Sequence, residues 1–254
     1  MPPQLTLTAL ANIPHIHPGD NLAALILHSL DETGLTLEEG DVLVIAQKIV
    51  SKAEGRLVRL SDVTPSPRAR ELANQCGKDA RFCEIVLWDT REIVRIRPGL
   101  IIVETHDGWV CANAGIDHSN VGPHEEGWVL RLPKDADASA RALRGHLGEL
   151  TGRDVRIIIN DTHGRAFRNG AVGVAIGVAG LPALEDLRGH RDLFGYELQS
   201  TVVGFADQLA SAASLLQGQA DEGRPIVHVR GVVRSEREGN AREIVRAKAM
   251  DLFR

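Results

Sequence analysis

Five short runs dominated by Val and Ile set the strongest limit on what this chain can fold into. They are DVLVIAQKIV (41–50), GLIIVET (99–105), GWVCANAG (108–115), DVRIIIND (154–161) and PIVHVRGVV (225–233). Branched side chains pack well on a pleated surface and lose rotamer freedom in a helix, so these runs predict the strands of a sheet. His106-Asp107-Gly108 lies between two of them and predicts a hairpin turn. Elsewhere apolar residues recur at helical spacing, in 21–30, 66–75, 137–152 and 202–218. Asp20 or Asn21 can cap the first of these, Ser66 with Pro67 opens the second, and Gly152 and Gly218 can stop the last two. Strands and helices are mixed without a regular strand–helix–strand alternation, so the predicted class is α/β or α+β with a mixed sheet.

The 254 residues are 43% hydrophobic and 25% charged, enough for a sizeable core. The longest apolar stretch, AVGVAIGVAG (171–180), is about half the length that spans a bilayer and reads as buried backbone, so no membrane segment is expected. The start, MPPQLTLTAL, lacks the basic and apolar regions of a secretory signal, which makes the cytoplasm the expected location. Cys76, Cys83 and Cys111 have neither an even count nor a C-x-x-C spacing and read as buried thiols. A net charge of −5 argues against broad nucleic-acid binding, so cations for an anionic ligand must be gathered locally. One domain over 1–254 is expected, with an internal seam in HEEGWVLRLPKDAD (124–137) and a charged loop plus amphipathic helix over 234–254.

There is no P-loop: the single Gly-Lys pair, Gly77-Lys78, is followed by Asp79. GVAIGVAG is not a dinucleotide fingerprint of the strand–GxGxxG–helix kind. Asp161 and Thr162 stand where a predicted strand ends, and Asp117 stands after another. Oxygen ligands of this sort suit Mg²⁺ or Mn²⁺, while an Asx turn or a helix cap is the structural alternative. Lys48 and Lys52 follow the 41–50 run and can meet phosphate oxygens or form a solvated basic turn beside Gly55. Arg165 and Arg168 offer carboxylate or phosphate contacts, or else surface charge. His15 and His17 flank a turn, and no H-E-x-x-H spacing accompanies them, so zinc is not expected. These residues point to an enzyme with a hard-metal site and nearby cations acting on a phosphorylated or carboxylated small molecule.

IPHIHPGD, VSKAEGRLVRL, NAGIDHSNV, IINDTHGRAFRNGAVGVAIGVAG, RDLFGYELQSTVVGFADQLASAASLLQGQADEGRP and VHVRG occur in this order. Together they resemble the coenzyme F420-0:L-glutamate ligases over roughly residues 10–232. The resemblance implies an intertwined α/β fold forming a homodimer, and a GTP-dependent ligase that adds γ-linked glutamate to F420-0 through an acyl-phosphate. It implies Mg²⁺ or Mn²⁺, up to two per site, with K⁺ as a further candidate. Metal ligands fall on Asp117, Asp161, Thr162 and Gln219. GTP contacts fall on Ile13, Pro14, His15, Ile16, Gln47, Lys48, Lys52 and Asn120, and on Gln217, Gly218, Gln219, Ala220, Asp221, Glu222, Gly223 and Arg224. Lys52 and Asp161 are the expected catalytic pair, and Gly115 would let the backbone turn between strand and site. Two departures stand out: Gln47-Lys48 replaces the Ser-Thr of some relatives, and Gln219 stands where an acid can occur. The fused nitroreductase-like domain of some relatives is not expected here. A same-fold ligase for another acid or amino acid, a metal-dependent GTP phosphohydrolase and a non-catalytic binding subunit are the competing expectations.

Overall fold

Ile157, Ile158 and Ile159 are completely buried in succession, which a strand permits only when both faces of its sheet are covered. The computed structural model describes residues 2–122, 127–233 and 237–252 and shows how that cover is built. Its elements in chain order are β1 (Thr6–Ala9), α1 (Leu22–Thr33), β2 (Val42–Ala46), α2 (Gln47–Ala53), β3 (Leu57–Arg59), α3 (Pro67–Cys76), α4 (Ala80–Trp88), β4 (Thr90–Arg97), β5 (Leu100–Thr105), β6 (Val110–Ala112), β7 (Trp128–Leu130), α5 (Ala136–Thr151), β8 (Arg156–Arg165), β9 (Arg168–Ala179), β10 (Glu185–Asp186), β11 (Val202–Val203), α6 (Phe205–Gln217) and β12 (Ile226–Arg230). The fold is mixed α+β, as composition and periodicity predict. A central sheet runs in the order β1-β12-β2-β8-β9, with β2 and β8 parallel and the other neighbours antiparallel.

Ile157 and Ile159 join a core with α1 and α5 on one face, and Ile158 joins a second core with α6 on the other. Each such side chain contributes about 1.5–3 kcal/mol by leaving water. Opposite Ile159 and Asn160 the pairing jumps from Gly177 to Ala175, a bulge that leaves Ile176 unpaired. The bulge changes which face β9 presents, so Gly173 lies against α6 while Gly177 lies against the first residue of α5. A side chain at either glycine would collide with helix backbone: its Cβ would stand 2.6 Å from Ala210 O at Gly173 and 2.4 Å from Ala136 O at Gly177. Glycines in the run 171–180 are thus what lets two helices approach one strand.

Between β2 and β8 the chain builds a lobe with its own core, in which α3 and α4 pack against the antiparallel sheet β4-β5-β6. Asn21 and Ser66 cap their helices as expected, accepting from Ala24 N (3.1 Å) and Ala69 N (3.2 Å). The 106–108 turn joins β5 and β6 as an antiparallel hairpin. All three cysteines are buried free thiols, and burial pushes Cys83 and Cys111 up to about 12, far from reactive.

Four expectations need correction. The 41–50 run stops being a strand at Ala46, because the next seven residues wind into α2. Val202 and Val203 form a strand, and α6 begins only at Phe205. The 154–161 strand continues to Arg165 and turns back as β9. In place of a C-terminal amphipathic helix there are short 3₁₀ turns at Ala241–Ile244 and Lys248–Met250, the first fixed by Asp137, whose carboxylate accepts from Ala241 N at 2.9 Å. That tertiary bond holds the segment in place where a helix would need repeated local ones. Arg234, Ser235 and Glu236 of the charged loop, and His124, Glu125 and Glu126 of the expected seam, lie outside the described residues.

At the opposite end of β2 from the site described below, Asp41 is 3% exposed and meets Arg230 Nη2 at 2.7 Å and His228 Nε2 at 2.8 Å. Burial raises its pKa, but the bonds from Arg230 and His228 outweigh that and hold it below the ordinary carboxylate value. A depressed carboxylate stabilises the fold above its unfolded pKa, and that stability is lost as pH falls through the folded one. Asp41→Asn is therefore expected to lower stability at neutral pH by about 2 kcal/mol and to flatten the acid limb of the unfolding curve. Thermal melts at a series of pH values test this, and an acid limb as steep as the wild type's would contradict it.

Candidate active site

β2 and β8 run parallel, and β2 and its pairing with β8 end where Ala46 stands opposite Asn160. Ligands of open sheets collect at such carboxyl ends, and here a cavity of about 900 Å³ opens, lined by Ala46–Ile49 and Asn160–Thr162. Ile13 to His17 form another wall, Asn120 to Gly122 a third, and Gln217 to Pro225 a fourth. All the residues expected to contact nucleotide therefore surround one space. Asp117 stands just behind, bonded to Gln47 and Lys48 of the wall.

Because 47–53 is helical, Lys48 and Lys52 fall one turn apart on one face and Gln47 and Ser51 on another. Gln47 is 1% exposed; its Nε2 donates to Asp117 Oδ2 at 2.6 Å and its Oε1 accepts from Ser51 Oγ at 3.0 Å. Its side chain thus holds Asp117 and turns little of itself to the cavity. Lys48 Nζ lies 3.5 Å from Asp117 Oδ1 and donates to Ser119 Oγ at 3.1 Å. Lys52 Nζ donates to Asn120 O at 2.7 Å, and Asn120 Nδ2 donates to Ala220 O at 2.7 Å, tying three walls together. Burial, with Lys48 nearby, lowers the Lys52 pKa from its ordinary value.

Asp117 is reached through an unusual turn: Asn113, Ala114 and Gly115 are all left-handed, at φ 51°, 56° and 70°. A Cβ at Gly115 would stand 2.6 Å from Leu132 Cδ1, so glycine is needed there for both conformation and space. Burial pushes Asp117 up to about 6, the charge of Asp161 adds to this, and Lys48 opposes it. Asp161 Oδ2 is 2.9 Å from His163 Nε2, a partner two residues along β8 on the same face.

Among the described residues no three His, Cys, Asp or Glu side chains gather as a metal centre. The available set is two carboxylates that repel each other, with the Thr162 hydroxyl and the Gln219 side chain at the cavity. Hard oxygen donors that include two carboxylates fit Mg²⁺ or Mn²⁺.

The loop after α6 holds its own carboxylate, since Glu222 accepts from Ala220 N at 2.8 Å. Gln217 is committed to the fold: it accepts from Asn160 at 2.6 Å and donates to Val44 O and Pro225 O at 3.2 Å. Arg165 and Arg168 are not brought to the cavity; they pair at the exposed end of the β8–β9 hairpin because β8 runs past Asp161. The cavity is also lined by Asn160, whose buried Oδ1 has no hydrogen-bond partner among the described residues, by Leu57, Val121 and Trp128, which the sequence did not mark, and by His17, which it marked only as flanking a turn. Two-residue periodicity along β8 could have flagged His163 beside Asp161.

A family model described as F420-0:Gamma-glutamyl ligase matches residues 11–231. The chain belongs to this family. It is 52% identical to the coenzyme F420:L-glutamate ligase of Methanopyrus kandleri over 243 residues, covering 94% of this chain and 93% of that protein. It is 46% identical to the one from Methanothermobacter thermautotrophicus over 254 residues, covering 98% and 99%, and 45% identical to the one from Archaeoglobus fulgidus over 242 residues, covering 95% and 93%. The F420-0:gamma-glutamyl ligase match spans every wall of the cavity, from Ile13 to Pro225.

Proposed function

We propose that this protein joins L-glutamate in γ-linkage to coenzyme F420-0 in F420 biosynthesis, with GTP as phosphoryl donor. The observation that carries this is the meeting of Asp161, Lys48 and Lys52 around one cavity of about 900 Å³, with Asp117 held just behind its wall by Gln47 and Lys48. In this reading the terminal carboxylate of F420-0 attacks the γ-phosphorus of GTP, the bond to the β-phosphate oxygen breaks, and GDP leaves. The amine of glutamate then attacks the acyl carbon of the acyl-phosphate, inorganic phosphate departs, and the nitrogen loses a proton.

Each step brings anions together, and fixed charges are worth most where charge develops. Lys52 donates to the transferring phosphoryl group, and Lys48 balances Asp117. Ile13, Pro14, His15, Ile16 and Asn120 hold the nucleotide, with Ala220, Asp221, Gly223 and Arg224 closing over it once Glu222 releases the Ala220 amide. Asp117, Asp161, Thr162 and Gln219 would hold one or two Mg²⁺ or Mn²⁺ ions, which neutralise phosphate oxygens when bound. K⁺ has no side chain assigned to it.

The reading also includes a homodimer in the cytoplasm. Leu193 and Phe194 are 99% and 95% exposed on the segment joining β10 and β11, apolar surface that a second copy would cover. No helix among the described residues is long and apolar enough to cross a membrane.

Mass spectrometry after incubation with F420-0, L-glutamate, GTP and Mn²⁺, omitting one component at a time, tests the reading. Products heavier by whole glutamyl units and dependent on every component are expected. GTP loss without them would favour a phosphohydrolase or another acceptor. Lys52→Ala should raise the GTP concentration for half-maximal rate by about tenfold or more, the loss of one charge-assisted bond. An unchanged GTP dependence would remove Lys52 from the site.

A further inference from the structure

A second, smaller cavity of about 290 Å³ lies between the lobe and the segment that enters α5. Arg56 lines it, whereas its neighbour Leu57 lines the larger one, so the two are separate spaces. Its acids already have partners. Asp89 receives Arg131 at both oxygens, Nε to Oδ2 at 2.8 Å and Nη2 to Oδ1 at 2.5 Å. Asp107 pairs with Arg242 at 3.3 Å, Asp135 caps α5 at Ala138 N, and Asp137 accepts from Val178 N and Ala241 N. Glu54, the other acid near Arg56, accepts from Lys134 N and Ser139 Oγ.

Arg56 and Lys134 are the least engaged cations of the lining. Arg56 donates through Nε to Leu132 O at 2.9 Å, but its Nη2 stands 3.9 Å from Asp89, beyond hydrogen-bond reach. Burial, and then the adjacent Arg131 charge, lower its pKa, while the charges of Asp89 and Glu54 oppose this. Lys134, an exposed residue, lines the same cavity, and its ammonium has no hydrogen-bond or ion-pair partner among the described residues. A half-buried guanidinium whose terminal nitrogens lack acceptors among the described residues is costly, and a planar fork lining one cavity with an exposed ammonium is an arrangement that takes an oxyanion.

We propose that this cavity binds a small oxyanion, a free phosphate or the carboxylate of an amino acid, through Arg56 and Lys134 with Arg131 behind them. Seated there, the anion bridges the lobe to the segment leading into α5 and stabilises the folded chain by mass action. The proposal does not depend on the ligase reading.

Calorimetric titrations of the full chain with inorganic phosphate and with L-glutamate, at constant ionic strength set by chloride, test it. Saturable binding of one of them is expected, and which one binds identifies the source of the oxyanion. Lys134→Ala should weaken it severalfold and Arg56→Gln at least tenfold, while Lys52→Ala leaves it unchanged. Arg56→Gln also loses the bond to Leu132, so Lys134→Ala, a change at an exposed side chain, decides if that variant does not fold. Binding lost in Lys52→Ala but kept in Lys134→Ala would put the anion in the larger cavity and overturn the proposal. So would absence of saturable binding by either anion.

Discussion

Gly177→Ala is expected to destabilise the protein by roughly 3 kcal/mol or more, the upper end for overpacking, lowering the thermal midpoint by about 6–12 °C. The added methyl would sit 2.4 Å from the carbonyl oxygen of Ala136 and 2.6 Å from its carbon, and a backbone group has no rotamer to escape into. Relief requires moving the start of α5. That movement strains Asp137, whose carboxylate holds both Val178 N at 2.8 Å and Ala241 N at 2.9 Å. Differential scanning calorimetry of the variant beside the wild type is the check, and an unshifted midpoint would mean that α5 is free to slide.

Asp161→Ala is expected to reduce glutamate ligation by a factor of about 10²–10³ or more, the scale of losing one fixed electrostatic group at a reacting phosphate. Stability should hardly change. The carboxylate's hydrogen bond is to His163, and its charge opposes that of Asp117, so removing it relieves repulsion and lowers the Asp117 pKa. Turnover by the mass-spectrometric assay, with a thermal melt on the same preparation, separates the two effects. Near-normal ligation by a folded variant would remove Asp161 from the site; lost ligation together with a large drop in midpoint would make its role structural.

Much of the frame is legible in residue types. The aliphatic runs around Val44, Ile102 and Ile158 are strands because branched side chains suit a pleated surface, and Asn21, Ser66 and Gly152 mark helix ends through caps that need only neighbouring residues. The same local reasoning fails at 47–50. Ile49 and Val50 look like strand, yet they bury themselves from a helix that packs on the sheet. It fails again at Asp161, read as a strand end, because the strand continues through a hairpin whose bulge is set by pairing with β9.

Sequence by itself determined the mixed class, the principal strands and helices, the capped ends and the chemistry on offer: acids at 117 and 161, lysines at 48 and 52, and a glycine-bearing loop near 218–223. Those depend on the side chain and its nearest neighbours along the chain. The tertiary structure decided which of these groups meet. It brought Gln47 to Asp117 across 70 residues and Asn120 to Ala220 across 100, and sent Arg165 and Arg168 to a distant hairpin end. It also left Arg56 facing a second cavity with Asp89 3.9 Å from its Nη2 and no carboxylate among the described residues within hydrogen-bond reach. Distances of that kind arise from sheet order, a bulge and helix packing, in which each contact depends on surface buried elsewhere, so no local pattern encodes them.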